Sequence, residues 1–161
     1  MPSSSQWKVA FAWLLAAAWA AVIWTLGGDA FASPETSRIF GPLIDWLFPE
    51  LTHGDRFRLL SFLRKAAHLF EYAVFAVLLL RAFALSWRRS LQLATVFSLG
   101  AVFALALADE ARQGQSGVRT GSGFDVALDV AGGALAVGLW LVLVRLRAAR
   151  RRTPGDSQSR P

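Results

Sequence analysis

Cysteine is absent from this sequence, and charged residues are scarce at 17% of the chain. The lack of cysteine excludes disulfide bonds, thiolate nucleophiles and cysteine-ligated metal sites. A soluble domain usually carries about 25% charged residues, and the charges here are also clustered, with long apolar stretches between them. These shortages indicate that most of the chain lies in apolar surroundings.

Apolar residues are abundant: 55% of the 161 residues are hydrophobic, and the mean hydropathy is +0.42. Crossing about 30 Å of hydrocarbon takes about 20 helical residues, and a spanning segment must satisfy its own backbone hydrogen bonds. Stretches suited to this lie at about residues 9–26, 66–85, 91–107 and 124–144. The sequence predicts an all-α, polytopic helix bundle over residues 9–144, between a short N-terminal segment (1–8) and a basic, partly disordered tail (145–161).

The first apolar stretch has two interpretations. The residues AFAS at Ala30–Ser33 resemble a signal-peptidase site. However, the apolar stretch exceeds the usual signal-peptide core of about 7–15 residues, and Lys8 is the only basic side chain before it. We favour an uncleaved membrane anchor, with a cleaved signal peptide as the alternative.

A short amphipathic helix is predicted between the first two spans, over about residues 34–48. Ser33 suits the N-cap position and Pro34 the first helical position. Apolar residues then recur on one helical face: Ile39, Phe40, Leu43, Ile44 and Leu47. We expect this helix to lie in the membrane interface with Trp46 at headgroup depth; a lid over the bundle is the alternative. A break is expected at Leu51–Asp55.

The orientation of the chain follows from its basic residues. If both termini are cytoplasmic, the inner side holds ten basic residues and one acid, whereas the outer side holds seven basic residues and ten acids. Cytoplasmic loops usually carry such an excess of Lys and Arg. We therefore predict a multi-pass protein of the cell membrane with both termini in the cytoplasm. Anionic inner-leaflet lipid is a sufficient partner for the basic tail, so no nucleic-acid partner is expected.

Polar side chains converge at the predicted outer end of the bundle. Ionisable residues in membrane helices are costly to bury and usually have a partner or a function. The expected binding residues are Lys65, His68, Glu71, Tyr72, Asp109, Glu110, Gln113, Arg119, Asp125 and Asp129. Lys65, His68 and Tyr72 share one helical face, as do Asp125 and Asp129. We expect a polar pocket that opens outward, in a bundle whose glycines at 132, 133 and 138 allow close helix approach.

The order and placement of these motifs resemble the VanZ-like membrane family over about residues 60–144. Its pattern of K-x-x-H-x-x-x-Y, then D-E-x-x-Q, then Arg, then D-x-x-x-N-x-x-G is matched by Lys65, His68, Tyr72, Asp109, Glu110, Gln113, Arg119, Asp125 and Gly132. The sequence departs from it at Asp129, where the family has Asn. The family is named for a protein linked to resistance to the glycopeptide teicoplanin, so the resemblance implies a role in the cell envelope and in glycopeptide tolerance.

The residue types of the predicted pocket are compatible with either ligand binding or catalysis. A binding protein would hold a membrane lipid, a cell-wall precursor or a lipoglycopeptide, with Lys65 and Arg119 on a phosphate. An enzyme would use His68 or Glu71 as a general base and acids such as Asp109 and Glu110 to ligate Mg²⁺, Ca²⁺ or Mn²⁺. We favour binding without a cofactor. A proton-coupled transporter is disfavoured because the inner halves of the spans carry little polarity.

Overall fold

The computed structural model describes residues 3–28, 33–87, 90–115 and 122–152, and the regular structure within these ranges is entirely helical. The helices are α1 (Ser4–Leu26), α2 (Ser33–Leu47), α3 (His53–Ser86), α4 (Leu91–Gln115) and α5 (Gly123–Arg152). All except α2 are long and apolar enough to cross a membrane. The predicted fold class is confirmed: the chain forms an all-α, multi-pass membrane bundle.

The long helices extend beyond the apolar stretches from which they were predicted. α3 has 34 residues, or about 51 Å at about 1.5 Å per residue, against a hydrocarbon thickness of about 30 Å. α4 continues past Leu107 to Gln115, and α5 past Val144 to Arg152. These extensions place polar residues on helical faces, where a spacing of three or four residues fixes which side chains are neighbours.

The break before α3 is shorter than predicted, because Thr52 caps the helix. Its hydroxyl accepts a hydrogen bond from the backbone N–H of Asp55 at 3.2 Å and donates to the Asp55 carboxylate at 2.7 Å. Such a cap satisfies a backbone donor that would otherwise lack a partner in the first turn. The helix therefore already includes His53, Gly54 and Asp55, which the sequence analysis assigned to the break.

Helix α2 leaves most of its apolar face open. It begins at Ser33, and Asp45 pairs with Arg56 of α3, with Oδ1 and Nη1 2.5 Å apart. Ile44 is buried, whereas Trp46 is 77% exposed. The other members of the predicted apolar face are also exposed: Ile39, Phe40, Leu43 and Leu47. This exposure suits a helix that lies in the membrane interface.

Helix α3 is central, because it packs against α1, α4 and α5. Its buried residues include Tyr72, Phe75 and Leu80, which meet Val102 of α4 and Val137 of α5 in one apolar core. At one end of the bundle, Trp13 of α1 donates to Ser86 of α3 at 3.0 Å, and aromatic rings pack there. We call this the basic end, since the described basic residues Lys8, Arg81, Arg145, Arg147 and Arg150 belong to the parts of α1, α3 and α5 that lie there. The opposite end is the polar end.

The closest approach of α3 and α5 requires glycine at position 132. A Cβ atom at Gly132 would lie 2.6 Å from the backbone oxygen of Leu69, which cannot move without displacing α3. In contrast, a Cβ at Gly138, six residues along the same helix, would meet no atom within 4 Å. Glycine is therefore a packing requirement at the first position and not at the second.

Gly132→Ala is expected to destabilise the bundle by about 1–3 kcal/mol, the usual effect of overpacking. Gly138→Ala is the matched control, and we expect it to be neutral or to stabilise α5 by up to about 1 kcal/mol, because alanine is the better helix former. Thermal unfolding of the purified variants in detergent measures both. Equal stability of the two variants would contradict this account of the α3–α5 contact.

Candidate functional site

A cavity of about 120 Å³ lies at the polar end, between α3, α4 and α5. Its lining residues are Ser61, Arg64, Lys65, His68, Glu110, Gln113, Asp125, Leu128 and Asp129. Those from each helix lie on one side of it, since most are spaced three, four or seven residues apart. This volume holds several water molecules or a small polar headgroup.

Asp129, which is buried, faces the partly buried His68 in the cavity wall. Asp129 is 4% exposed, and its Oδ1 lies 3.7 Å from Nδ1 of His68. Within the part of the chain that the structure describes, this Oδ1 has no hydrogen-bond partner. A buried polar atom without a partner is costly. A donor placed in the cavity would therefore stabilise Asp129.

The rim of the cavity is more exposed and carries cations. Lys65 is exposed and its Nζ lies 5.0 Å from the centroid of the Phe124 ring. Arg64 acts electrostatically on Glu110, whose carboxylate also accepts a hydrogen bond from the backbone N–H of Ser122. The latter bond ties the end of α4 to the start of α5. The rim therefore offers positive charge in the same cavity as the buried Asp129.

Asp109 does not line this cavity but belongs to a network between α4 and α1. It is 2% exposed and accepts hydrogen bonds from Nη2 of Arg112 at 2.6 Å and Nε2 of Gln113 at 2.7 Å. Arg112 also donates to the backbone oxygen of Trp24 at 2.8 Å, and its guanidinium lies 4.2 Å from the centroid of the Trp24 ring. A Cβ at Gly27 would overlap Asp109 and Arg112. Asp109 therefore holds the end of α1 against α4.

Glu71 and Tyr72 also lie outside the cavity lining. The indole N–H of Trp19 donates to the backbone oxygen of Glu71 at 2.9 Å, so this turn of α3 packs against α1. Tyr72 is fully buried in the core, and among the described residues its hydroxyl has no hydrogen-bond partner. The acids of the cluster lie close enough to influence both side chains electrostatically, but neither side chain borders the cavity.

The structure thus divides the sequence-predicted residues into groups. The cavity brings together Lys65, His68, Glu110, Gln113, Asp125 and Asp129. Glu71, Tyr72 and Asp109 lie behind it, and Arg119 falls outside the described residues. The sequence analysis missed Ser61, Arg64 and Leu128 in the lining, and Arg112 in the network. Helical spacing carried a signal for Ser61 and Arg64, which precede His68 by seven and four residues, and for Arg112, three residues after Asp109.

The polar end carries more carboxylates than cations among the described side chains. Asp129 lies within electrostatic range of Glu71, Asp109, Glu110 and Asp125, whereas Arg112 is committed to Asp109. No group of three or more His, Asp or Glu side chains in the described ranges is arranged to hold a metal ion. Carboxyl groups therefore outnumber cationic groups beside the cavity.

Comparison with known families gave one match. The family model described as VanZ/LLP1 matches residues 11–145, a region that includes every residue of the cavity lining. Searches of curated proteins and of solved structures found no match.

Proposed function

The chain belongs to the VanZ/LLP1 family, and we propose that it binds the headgroup of an envelope lipid or lipid-linked cell-wall precursor at the outer face of the membrane, and so contributes to glycopeptide tolerance. The observation that carries this proposal is the cavity at the polar end, with Arg64 and Lys65 beside Asp125 and Asp129. Basic side chains of this kind contact phosphate oxygens through charge-assisted hydrogen bonds. Glycopeptide tolerance is the part that the family name supports.

The size of the cavity favours a headgroup over a whole antibiotic molecule. Pockets for drug-sized ligands usually measure about 300–1,000 Å³, whereas this cavity measures about 120 Å³. A glycopeptide core exceeds it, but a phosphate-bearing headgroup fits, and its acyl chain would remain in the lipid alongside the bundle. The exposed apolar face of α2, which includes Leu43 and Leu47, offers further surface for such a chain at the interface.

The proposed orientation places the cavity outside and both termini in the cytoplasm. The basic residues of the basic end then face the cytoplasmic leaflet, as the distribution of Lys and Arg in membrane proteins favours. The headgroup would reach the cavity from the outer leaflet, where glycopeptides meet the cell.

Single-cysteine labelling is expected to confirm this orientation. The natural chain has no cysteine, so Ser90→Cys, Ser116→Cys and Ser157→Cys each introduce one reporter. In intact cells an impermeant thiol reagent should label Ser116→Cys alone, and after permeabilisation it should label all of them. Labelling of Ser90→Cys but not Ser116→Cys in intact cells would refute the orientation.

Protection is expected to depend on the lipid tail of the antibiotic. An acyl tail on the antibiotic that enters the membrane interface adds about 0.8 kcal/mol of affinity per buried CH₂ group. The lipidated compound should therefore compete with the envelope lipid for the cavity more strongly than the tail-free compound does. Susceptibility would be measured in isogenic strains with and without the gene, using paired glycopeptides that differ only in the acyl chain. We expect greater protection against the lipidated member. Equal protection against both, or none, would contradict the proposal.

Catalysis is the second candidate, and the geometry of His68 and Asp129 is the observation that favours it. A histidine beside a buried carboxylate is the arrangement of a general base and its orienting group. An enzyme of this kind would release phosphate or a headgroup from envelope lipid. The assay would use purified protein with added divalent cations. The binding proposal predicts no such release.

A further inference from the structure

We propose that the bound headgroup is zwitterionic and of the phosphoethanolamine type, with a primary ammonium at Asp125 and Asp129 and a phosphate at Arg64 and Lys65. This inference rests on the proposed function and specifies its ligand. It depends on the depth at which each charge lies in the cavity, on the unpartnered atom at the floor, and on the residue types of the lining.

The first argument is the state of Asp129. Its carboxylate is more than nine-tenths buried and borders the cavity, and its Oδ1, which lies 3.7 Å from Nδ1 of His68, has no hydrogen-bond partner within the described residues. An ammonium group carries three hydrogen-bond donors and no acceptor. Such a group at the floor would supply the missing donor and reach Asp125, which lies one helical turn away on the same face of α5.

The second argument is the balance of charge. Asp129 lies within electrostatic range of Glu71, Asp109, Glu110 and Asp125. Three described cations lie near these acids: Arg112 is paired with Asp109 at 2.6 Å, Arg64 interacts electrostatically with Glu110, and Lys65 lies beside the Phe124 ring. Carboxylates crowded together in this way repel one another, and either proton uptake or a bound cation relieves the repulsion. A ligand that brings its own cation would lower this repulsion, whereas a purely anionic headgroup would increase it.

The third argument distinguishes a primary ammonium from a quaternary one. Proteins recognise quaternary ammonium groups with cages of aromatic rings. The described lining of this cavity contains no Trp, Tyr or Phe and instead presents carboxylate and amide oxygens. Oxygen acceptors suit N–H donors, and a trimethylated nitrogen has none to offer. The small volume also disfavours three additional methyl groups.

The phosphate is assigned to the rim because the exposed cations lie there. Lys65 is exposed, with its Nζ near the Phe124 ring, and Arg64 is partly exposed beside it. Because the cations and the acids line a single cavity of about 120 Å³, the ammonium and phosphate of the ligand must be separated by a short linker. An ethanolamine linker meets this requirement.

The test is a methylation series of soluble short-chain lipids on the unmodified, full-length protein in detergent. The headgroups would be phosphoethanolamine, its mono- and dimethyl forms, phosphocholine and phosphoglycerol, with dissociation constants measured by calorimetry. We expect affinity to fall with each methyl group, by at least about tenfold from phosphoethanolamine to phosphocholine, because hydrogen bonds to charged groups are lost. Phosphoglycerol should bind most weakly.

Variants separate this inference from the proposed function. Asp129→Asn should abolish the preference for the primary amine, whereas Lys65→Ala should weaken all phosphate headgroups by a similar factor, and the exposed Arg58→Ala should change neither. Two results would overturn the amine assignment: equal affinity along the series, or tighter binding of phosphoglycerol. If Lys65→Ala also lost binding, the headgroup proposal would still stand. Absence of binding by every lipid, or binding indifferent to Lys65→Ala, would overturn both.

Discussion

Arg112→Ala is expected to destabilise the protein by about 3 kcal/mol and to deplete it from the membrane fraction. The substitution leaves the buried Asp109 carboxylate without its charged partner, and breaking a buried ion pair in this way costs about 3–5 kcal/mol. Because the Arg112 side chain is 32% exposed, we place the effect at the lower end of that range. The end of α1 also loses the hydrogen bond to Trp24. Thermal unfolding in detergent and immunoblotting of membranes measure the effect.

Arg58→Ala is the matched control for this prediction. Arg58 lies 3.8 Å from Asp55 and its side chain is 82% exposed, and exposed ion pairs contribute about 0–1 kcal/mol. If Arg112→Ala and Arg58→Ala had the same stability, Asp109 and Arg112 would not hold α1 against α4, and Asp109 would return to the list of candidate ligand-binding residues.

His68→Ala and Asp125→Ala are expected to abolish glycopeptide tolerance while the protein stays folded and inserted. Both side chains line the cavity, and neither belongs to the apolar core that holds the helices together. The strains should therefore become as susceptible as one that lacks the gene. Susceptibility and membrane abundance would be measured on the same cultures.

The result for abundance distinguishes a binding site from polar contacts that merely join helices. Polar side chains between membrane helices often act as such contacts, and their loss would then reduce the amount of protein. If His68→Ala and Asp125→Ala both disappeared from the membrane as Arg112→Ala does, the binding account would lose its main support. Full protection by both variants would also contradict it.

The fold was predictable because hydropathy alone locates a membrane-spanning helix. Apolar stretches near residues 66–85 and 124–144 correspond to the C-terminal part of α3 and the N-terminal part of α5. The helix ends were less predictable. Thr52 begins α3 through a local hydrogen bond to Asp55, which hydropathy does not register.

The position of the candidate site was predictable, but the division of its residues between the cavity and the α1–α4 network was not. The short connections from α3 to α4 and from α4 to α5 bring the end of α4 and the starts of the spanning parts of α3 and α5 to one side, so His68, Glu110 and Asp125 had to be neighbours. In contrast, the partner of Arg112 on α1 is Trp24, far away in sequence. Such a contact leaves no local signal in the sequence. Asp109 and Glu110 therefore look like equivalent candidate site residues in the sequence, and only the packing of α1 distinguishes them.

The most direct test of the central claim is native mass spectrometry of the purified protein, which detects lipid that remains bound. We expect the natural protein and Arg58→Ala to retain a phosphate-bearing lipid, and a His68→Ala, Asp125→Ala double variant of equal thermal stability to lose it. Equal lipid occupancy in all three proteins would contradict the claim that the cavity at the polar end is a headgroup-binding site.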